Sequence, residues 1–276
     1  MLKDLNIKIV MDKKSIIIFL WSLIVITISS SFSILYAQTN SDNISGNIGN
    51  STTESLSPSI DNKSQTIKLF NPQDKPYGLS YEDHAINFWK WLISIPKDQH
   101  PESDLTGDRC TIGQENSNST VFYLSGNSTD EITDELIKRT CEVPMGKGIL
   151  IPVIVIEMSD KEEQNATIED LSRIAKDDQD GVKSMYLKID NKELKMEDLS
   201  KYRIHTDAFE LNFPPKNVFE VSEGPAIAVA DGHYIIFEPL SKGKHEVYWN
   251  SSLTCIEKGC PDPDYVQDVY YTIIVK

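Results

Sequence analysis

Four cysteines are the side chains whose chemistry the sequence restricts most. Cys255 and Cys260 are separated by four residues that include a glycine, so a tight turn can bring the two thiols together. Cys110 and Cys141 flank an apolar segment at 122–124. We therefore predict disulfides between residues 110 and 141 and between residues 255 and 260, although four cysteines allow three pairings. A Cys/His metal site is the alternative, and it is disfavoured because the sequence holds no Cys-x-x-Cys motif.

The histidines are the next candidates for acid-base or metal chemistry, and none has His-x-His or His-Glu-x-x-His spacing; they are His84, His100, His205, His233 and His245. We expect His233 and His245 on neighbouring strands with Asp231 nearby, an arrangement that suits a metal ion or general acid-base catalysis. A strand rises about 3.3 Å per residue, which puts these two histidines about 13–17 Å apart, too far to share one zinc ion. Structural or surface roles are therefore the preferred interpretation.

Carboxylates offer two weak candidates for a cation site. The stretch 177–181 resembles part of a calcium loop, but the aligned first and last ligand positions hold Lys176 and Leu187, which excludes an EF-hand. Asp262 and Asp264 flank a proline close to a cysteine, and they could hold a cation through a rigid turn. The sequence has no Gly-x-Ser-x-Gly elbow, phosphate loop or dinucleotide fingerprint. We therefore expect no cofactor and assign no catalytic residue.

The first 37 residues have the composition of an export signal. Lys13 and Lys14 precede an apolar run at 16–28, and small residues lead to Ala37, as in a signal peptide. The alternative is a retained membrane anchor through residues 15–37, which is long enough to span a bilayer. Both place the rest of the chain outside the cytoplasm, secreted or at the cell surface, where disulfides persist. The sequons that follow make the chain a candidate glycoprotein: Asn43, Asn50, Asn62, Asn118, Asn127, Asn165 and Asn250.

The composition of the residues after 37 indicates two segments and limits the partners that they can bind. Residues 38–66 are rich in Ser, Asn and Thr and predict a disordered stalk, whereas residues 67–276 are enough for one β-rich domain. The chain has 27 basic and 42 acidic residues, a formal charge of −15. Residues 1–37 hold four of the basic and two of the acidic residues, so the rest carries −17. This charge argues against nucleic acid as a partner, because binding it requires a basic surface.

Hydrophobic periodicity predicts the elements that would position these side chains. Residues 80–95 have the spacing of an amphipathic helix with aromatic side chains on its apolar face. We expect Phe88 and Trp89 to be buried in the core, the alternative being a face that contacts sugar or lipid. A second short helix is expected at 167–176, capped by Thr167.

Most other segments predict strands. They are 121–124, 148–158, a hairpin at 184–194, 208–213, 226–230, 233–238, 244–249 and 268–275. Asp231-Gly232 is expected to form a hairpin turn between two of them. Many short strands with Gly and Pro turns indicate a mainly β fold, an antiparallel β-sandwich resembling a jelly roll.

Several short segments together resemble a family of secreted β-sandwich-like proteins of archaea and bacteria. The resemblance covers residues 75–275 and is carried by residues 88–91, 106–110, Gln114, 122–124, 139–144, 146–147, 151–152, 231–234 and 239–240. It implies an extracytoplasmic location and a β-sandwich fold, and it implies no activity.

We expect a non-catalytic module that binds an envelope component, a glycan or a protein, or that contributes to the envelope. The alternative is an extracytoplasmic hydrolase, with or without a metal ion, centred on Asp231, His233 and His245. A concave pocket that gathers these three residues would favour the enzyme. Dispersed histidines and a flat aromatic or acidic surface would favour binding.

Overall fold

The computed structural model describes residues 66–114, 119–127, 136–254 and 265–276. Several predictions therefore lie outside the described residues: the signal peptide or anchor within 1–37, the stalk up to residue 65, the 255–260 disulfide, the cation candidates Asp262 and Asp264, and the sequons at Asn43, Asn50, Asn62 and Asn118.

Two of the helices begin at capping boxes. The Ser80 hydroxyl accepts a hydrogen bond from the Asp83 backbone N–H, and the Ser80 backbone N–H donates to the Asp83 carboxylate; helix α1 follows at Tyr81–Ile93. Thr167 and Asp170 do the same for α2, which spans Ile168–Asp180. A single turn, α3, lies at Met196–Leu199. Within the described residues, every helix is too short or too polar to cross a membrane.

The described residues form strands in two five-stranded sheets. Sheet A has the order β1-β3-β8-β6, with β7 also paired to β8; sheet B has the order β2-β10-β9-β4-β5. The strands are β1 (Val121–Tyr123), β2 (Ile137–Val143), β3 (Gly148–Ser159), β4 (Val182–Ile189), β5 (Lys192–Lys195), β6 (Arg203–His205), β7 (Phe209–Phe213), β8 (Gly224–Phe237), β9 (Gly243–Leu253) and β10 (Tyr265–Val275).

The mainly β prediction is confirmed, but the sheets are mixed rather than antiparallel throughout. β1 runs parallel to β3, and β10 runs parallel to β2. The partners β2 and β10 are separated by more than a hundred residues of chain, so no local turn signal could reveal their relative direction.

The hairpin turn expected at Asp231-Gly232 is wrong, because both residues lie inside the continuous strand β8. Gly232 pairs with Val155 on β3, and a Cβ atom there would lie 2.7 Å from the Val155 Cα atom. The glycine is therefore required by close packing against β3 rather than by a change of direction.

One hydrophobic core joins α1 to both sheets. Phe88 and Trp89 are buried as predicted, and the Trp89 indole donates a hydrogen bond of 2.8 Å to the Tyr234 hydroxyl on β8. Between the sheets, the buried Ser251 hydroxyl of β9 donates to the Val153 carbonyl of β3 at 2.6 Å. This bond falls at the irregularity between Pro152 and Ile154, where the β3–β8 ladder shifts register.

Candidate functional site

The predicted disulfide between Cys110 and Cys141 is confirmed, with an S–S distance of 1.99 Å. It ties the segment before β1 to strand β2, whose side chains alternate between buried and exposed positions. Gly107 lies against the same strand, because a Cβ atom there would come within 2.2 Å of the Thr140 carbonyl oxygen. The Thr140 N–H in turn donates to the Thr106 carbonyl. The cysteines therefore have a structural role in this part of the chain.

Arg139 is a buried cation that holds the same segment against sheet B. Its guanidinium donates to the carbonyls of Glu102, Asp104, Ser125 and Gly126 and to the Tyr271 hydroxyl. The side chain also lies over the Tyr271 ring, 5.5 Å from its centroid. The side chain is 2% exposed and all three guanidinium nitrogens donate to protein acceptors, so Arg139 has a structural role.

The histidine cluster proposed from sequence does not form. His233 lies on β8 in sheet A and His245 on β9 in sheet B, so their strands are not neighbours as expected. The His233 Nδ1 atom lies 2.7 Å from the Gln179 amide of α2, and burial together with Arg203 lowers the pKa of His233 to about 4. In His245, Nδ1 lies 2.7 Å from the Asp190 carboxylate and Nε2 lies 2.9 Å from a backbone carbonyl.

Two further histidines are buried and structural. The His84 Nε2–H donates to the Pro76 carbonyl at 2.9 Å, and the His100 Nε2–H donates to the Leu92 carbonyl at 3.2 Å. Burial lowers the pKa of both, for His100 to about 4, so both rings are neutral at neutral pH. Within the described residues, no group of three or more His, Cys, Asp or Glu side chains is placed to hold a metal ion.

Asp231 instead meets His205, the histidine that the sequence analysis left without a partner. Asp231 is 1% exposed, and its Oδ2 atom lies 3.1 Å from the His205 Nδ1 atom. The other ring nitrogen, Nε2, lies 2.8 Å from the Ser172 hydroxyl on α2. Asp231 thus has a histidine partner, but that partner is His205 rather than His233 or His245.

Arg203 neutralises this buried carboxylate. Its Nε and Nη2 atoms donate to the two Asp231 oxygens at 2.7 and 2.9 Å, a bidentate pair. The guanidinium also contacts Asp180 at 2.5 Å and the Lys176 carbonyl at 3.1 Å, both near the end of α2. One arginine therefore fixes the carboxylate and fastens α2 to the edge of sheet A. The stretch 177–181, which the sequence analysis excluded as an EF-hand, forms the end of α2 and its C-cap.

The solvent-facing side of sheet B carries tyrosines on its three middle strands, and we call this surface the tyrosine face: Tyr186 on β4, Tyr248 on β9 and Tyr270 on β10. All three are partly exposed, while alternate residues of the same strands are buried. The rings of Tyr186 and Tyr248 have centroids 5.9 Å apart. Tyr270 lies directly opposite Tyr248 in the β9–β10 register.

Each tyrosine of this face is influenced by a carboxylate on the adjacent strand. The pairs are Tyr186 with Glu193, Tyr248 with Asp268, and Tyr270 with Glu246. Burial and the neighbouring carboxylates raise the pKa of all three phenols, for Tyr248 to about 12. The tyrosines therefore stay neutral and present ring faces and hydroxyls together with acidic acceptors.

A pair of carboxyl groups lies apart from these sites. Glu157 on β3 is 4% exposed and lies beside Glu162, and neither of its oxygens accepts from an N–H or hydroxyl group of the described chain. Burial raises the pKa of both groups, and the second carboxylate raises that of Glu157 further. Glu162 also accepts from the Ser159 N–H and hydroxyl, so a proton shared between the two carboxyls is what Glu157 requires.

The described sequons differ in accessibility. Asn165 is exposed and has a positive φ of 70°, whereas Asn127 is 4% exposed and its amide donates to the Val266 carbonyl at 3.4 Å. A glycan at Asn127 would require that amide to leave its buried position. Asn250 is partly exposed on the tyrosine face, opposite Tyr186.

The sequence analysis missed Ser172, Arg203 and the tyrosine face. No spacing signal links Ser172 to His205, because they meet only through the packing of α2 against sheet A. The tyrosines had a usable signal, since Tyr248 and Tyr270 alternate with buried residues in segments already predicted to be strands.

Comparisons with known proteins support neither a family nor a function for this chain. No protein-family model and no curated protein matches the chain. Among solved structures, the cysteine protease inhibitor EhICP2 from Entamoeba histolytica is 12% identical, with a TM-score of 0.18 over 50% of this chain and 86% of that chain. The solution structure of Amebosin is 8% identical, with a TM-score of 0.17 over 50% of this chain and 89% of that chain. At these TM-scores neither likeness bears on fold or function.

Proposed function

We propose that this protein is an extracytoplasmic module that binds neutral glycans on the tyrosine face. The observation that carries the proposal is the row of partly exposed tyrosines on adjacent strands: Tyr270 lies opposite Tyr248, the Tyr186 and Tyr248 rings are in contact, and each tyrosine lies beside a carboxylate. The export signal expected from sequence and the Cys110–Cys141 disulfide support the location.

The chemistry of the tyrosine face suits a sugar better than other ligands. A pyranose with equatorial substituents has C–H groups on both of its faces, and these pack against aromatic rings such as Tyr186 and Tyr248. Its hydroxyls then donate to carboxylates such as Asp268 and Glu246, which lie beside the rings. The same carboxylates would repel uronic acids and other anionic glycans. The expected ligand class is therefore β-linked glucose or N-acetylglucosamine oligosaccharides.

The test is titration calorimetry with β-linked glucose and N-acetylglucosamine oligosaccharides, using protein whose Asn250 has been shown by mass spectrometry to carry no glycan. That check is necessary because a glycan on Asn250 would cover the same surface. We expect binding, and a loss of at least about tenfold, or 1.4 kcal/mol, in Tyr186→Ser/Tyr248→Ser.

The control is Tyr186→Phe/Tyr248→Phe, which keeps both rings and should retain most of the affinity. An oligosaccharide of glucuronic acid serves as the anionic comparison and should bind more weakly. Absence of binding to any neutral oligosaccharide at millimolar concentration, or equal binding by the serine variant, would overturn the proposal.

A further inference from the structure

A hydrogen-bonded chain of three side chains runs from the solvent to a buried carboxylate. The Ser172 hydroxyl lies 2.8 Å from the His205 Nε2 atom, and the His205 Nδ1 atom lies 3.1 Å from the Asp231 carboxylate. The His205 side chain is 40% exposed, whereas that of Asp231 is 1% exposed. Reactants in solution can therefore reach Ser172 and His205, while the Asp231 carboxylate is shielded from solvent.

The carboxylate sets the orientation of the imidazole. Both Asp231 oxygens accept hydrogen bonds from Arg203, so the carboxylate meets His205 as an acceptor. The His205 Nδ1 atom must then carry the hydrogen, which leaves the lone pair on Nε2 to accept the Ser172 hydroxyl proton. A serine, an imidazole and a buried carboxylate in this order form the arrangement that activates a serine for nucleophilic attack.

We propose that Ser172 is a nucleophile for short neutral acyl esters, with His205 as its general base and Asp231 as the residue that positions His205. The site is separate from the tyrosine face, since α2 packs on sheet A and the tyrosines lie on sheet B. This activity is therefore independent of the glycan-binding proposal.

The reaction balances within the three side chains, ester and water. Ser172 Oγ attacks the ester carbonyl carbon while its proton moves to His205 Nε2. The tetrahedral intermediate then breaks the bond to the alkoxide, which leaves as the alcohol with the Nε2 proton. Water repeats the two steps on the acyl-serine, releasing the carboxylic acid and restoring the Ser172 hydroxyl.

The charges around Ser172 bear on the substrate class. Ser172 is the fifth residue of α2, and its Cα–Cβ bond tilts toward the first turn, which carries Glu169 and Asp170. The cations near the other end of α2, Arg173, Lys176 and Arg203, are engaged in ion pairs with Asp177 and Asp180. A short neutral acyl group is therefore the class that suits the site.

The experiment is covalent labelling of the full chain with a fluorophosphonate, which forms a phosphorus–oxygen bond to an activated serine and releases fluoride. Peptide mapping should place the label on Ser172, and p-nitrophenyl acetate hydrolysis should be lost in Ser172→Ala. His205→Gln should slow labelling by about 100-fold or more, the effect of removing a general base. The matched control is Ser200→Ala, because this hydroxyl donates to a helical carbonyl and has no histidine partner among the described residues.

If His205→Gln unfolds at the assay temperature, the wild-type chain in urea replaces it, since an activated serine loses its reactivity on unfolding. A chain that takes up no label, that is labelled elsewhere, or that is labelled equally fast without His205 would overturn the proposal.

Discussion

Replacing Arg139 with methionine should destabilise the domain by about 3–5 kcal/mol, because the guanidinium is the shared donor for five buried acceptors. Methionine fills much of the same volume but donates no hydrogen bond. Each buried acceptor left without a donor costs about 1–3 kcal/mol, and removal of the buried charge offsets part of that total. Arg139→Lys supplies three donors for the five acceptors, so we expect an intermediate loss of about 2 kcal/mol.

The assay is urea denaturation followed by tryptophan fluorescence, with the disulfide intact in every variant. The midpoint should fall while the slope stays constant, which indicates lost stability rather than a change in the unfolded state. Lys138→Met is the matched control, because Lys138 precedes Arg139 on β2 but is exposed, and its effect should stay within about 0.5 kcal/mol. A loss below 1 kcal/mol in Arg139→Met would refute the reasoning and show that water replaces the guanidinium at little cost.

Three other predictions concern the core. Cys110→Ala/Cys141→Ala opens a loop with a sequence separation of 31 and should lower the unfolding free energy by about 3–4 kcal/mol; an unchanged urea midpoint would contradict this. Trp89→Ala should cost about 3–5 kcal/mol through the cavity it leaves, and Trp89→Phe should cost less in the same melts. Glu157 has a folded-state pKa above its ordinary value of 4.5, so its stabilising contribution is complete below pH 4.5 and is lost as pH rises. Glu157→Gln should therefore gain stability relative to wild type between pH 5 and 8 in paired urea titrations, and parallel pH profiles would count against the shared proton.

Most of the helices and strands were predicted because capping residues, turn residues and hydrophobic spacing act within short stretches of sequence. The capping boxes at Ser80 and Thr167 fix the starts of α1 and α2, and α2 continues four residues past the predicted end at 176. The hairpin at 184–194 is confirmed as β4 and β5, with Asp190 at a positive φ in its turn.

The sequence did not reveal which strands pair when they lie far apart along the chain. Asp231-Gly232 has the composition of a turn, but packing against β3 keeps these two residues extended. A glycine required by close packing cannot be distinguished in the sequence from a glycine required by a turn. The assumption that consecutive strands pair with each other placed His233 and His245 on adjacent strands. In the structure, the chain crosses from sheet A to sheet B between them, so Asp231 contacts His205 instead.

The position of β10 in the middle of sheet B has a consequence for the order of folding. This strand covers residues 265–275 and is hydrogen-bonded to β2 on one side and β9 on the other. During synthesis from the N-terminus, β2 forms more than a hundred residues before the strand it must pair with. Sheet B therefore cannot be completed until β10 has been made, and Cys141 lies on an unpaired strand until then. Contacts this distant in sequence slow folding. We expect oxidative refolding to show a slow phase that ends when β10 inserts, and truncation of residues 265–276 to trap the chain before it.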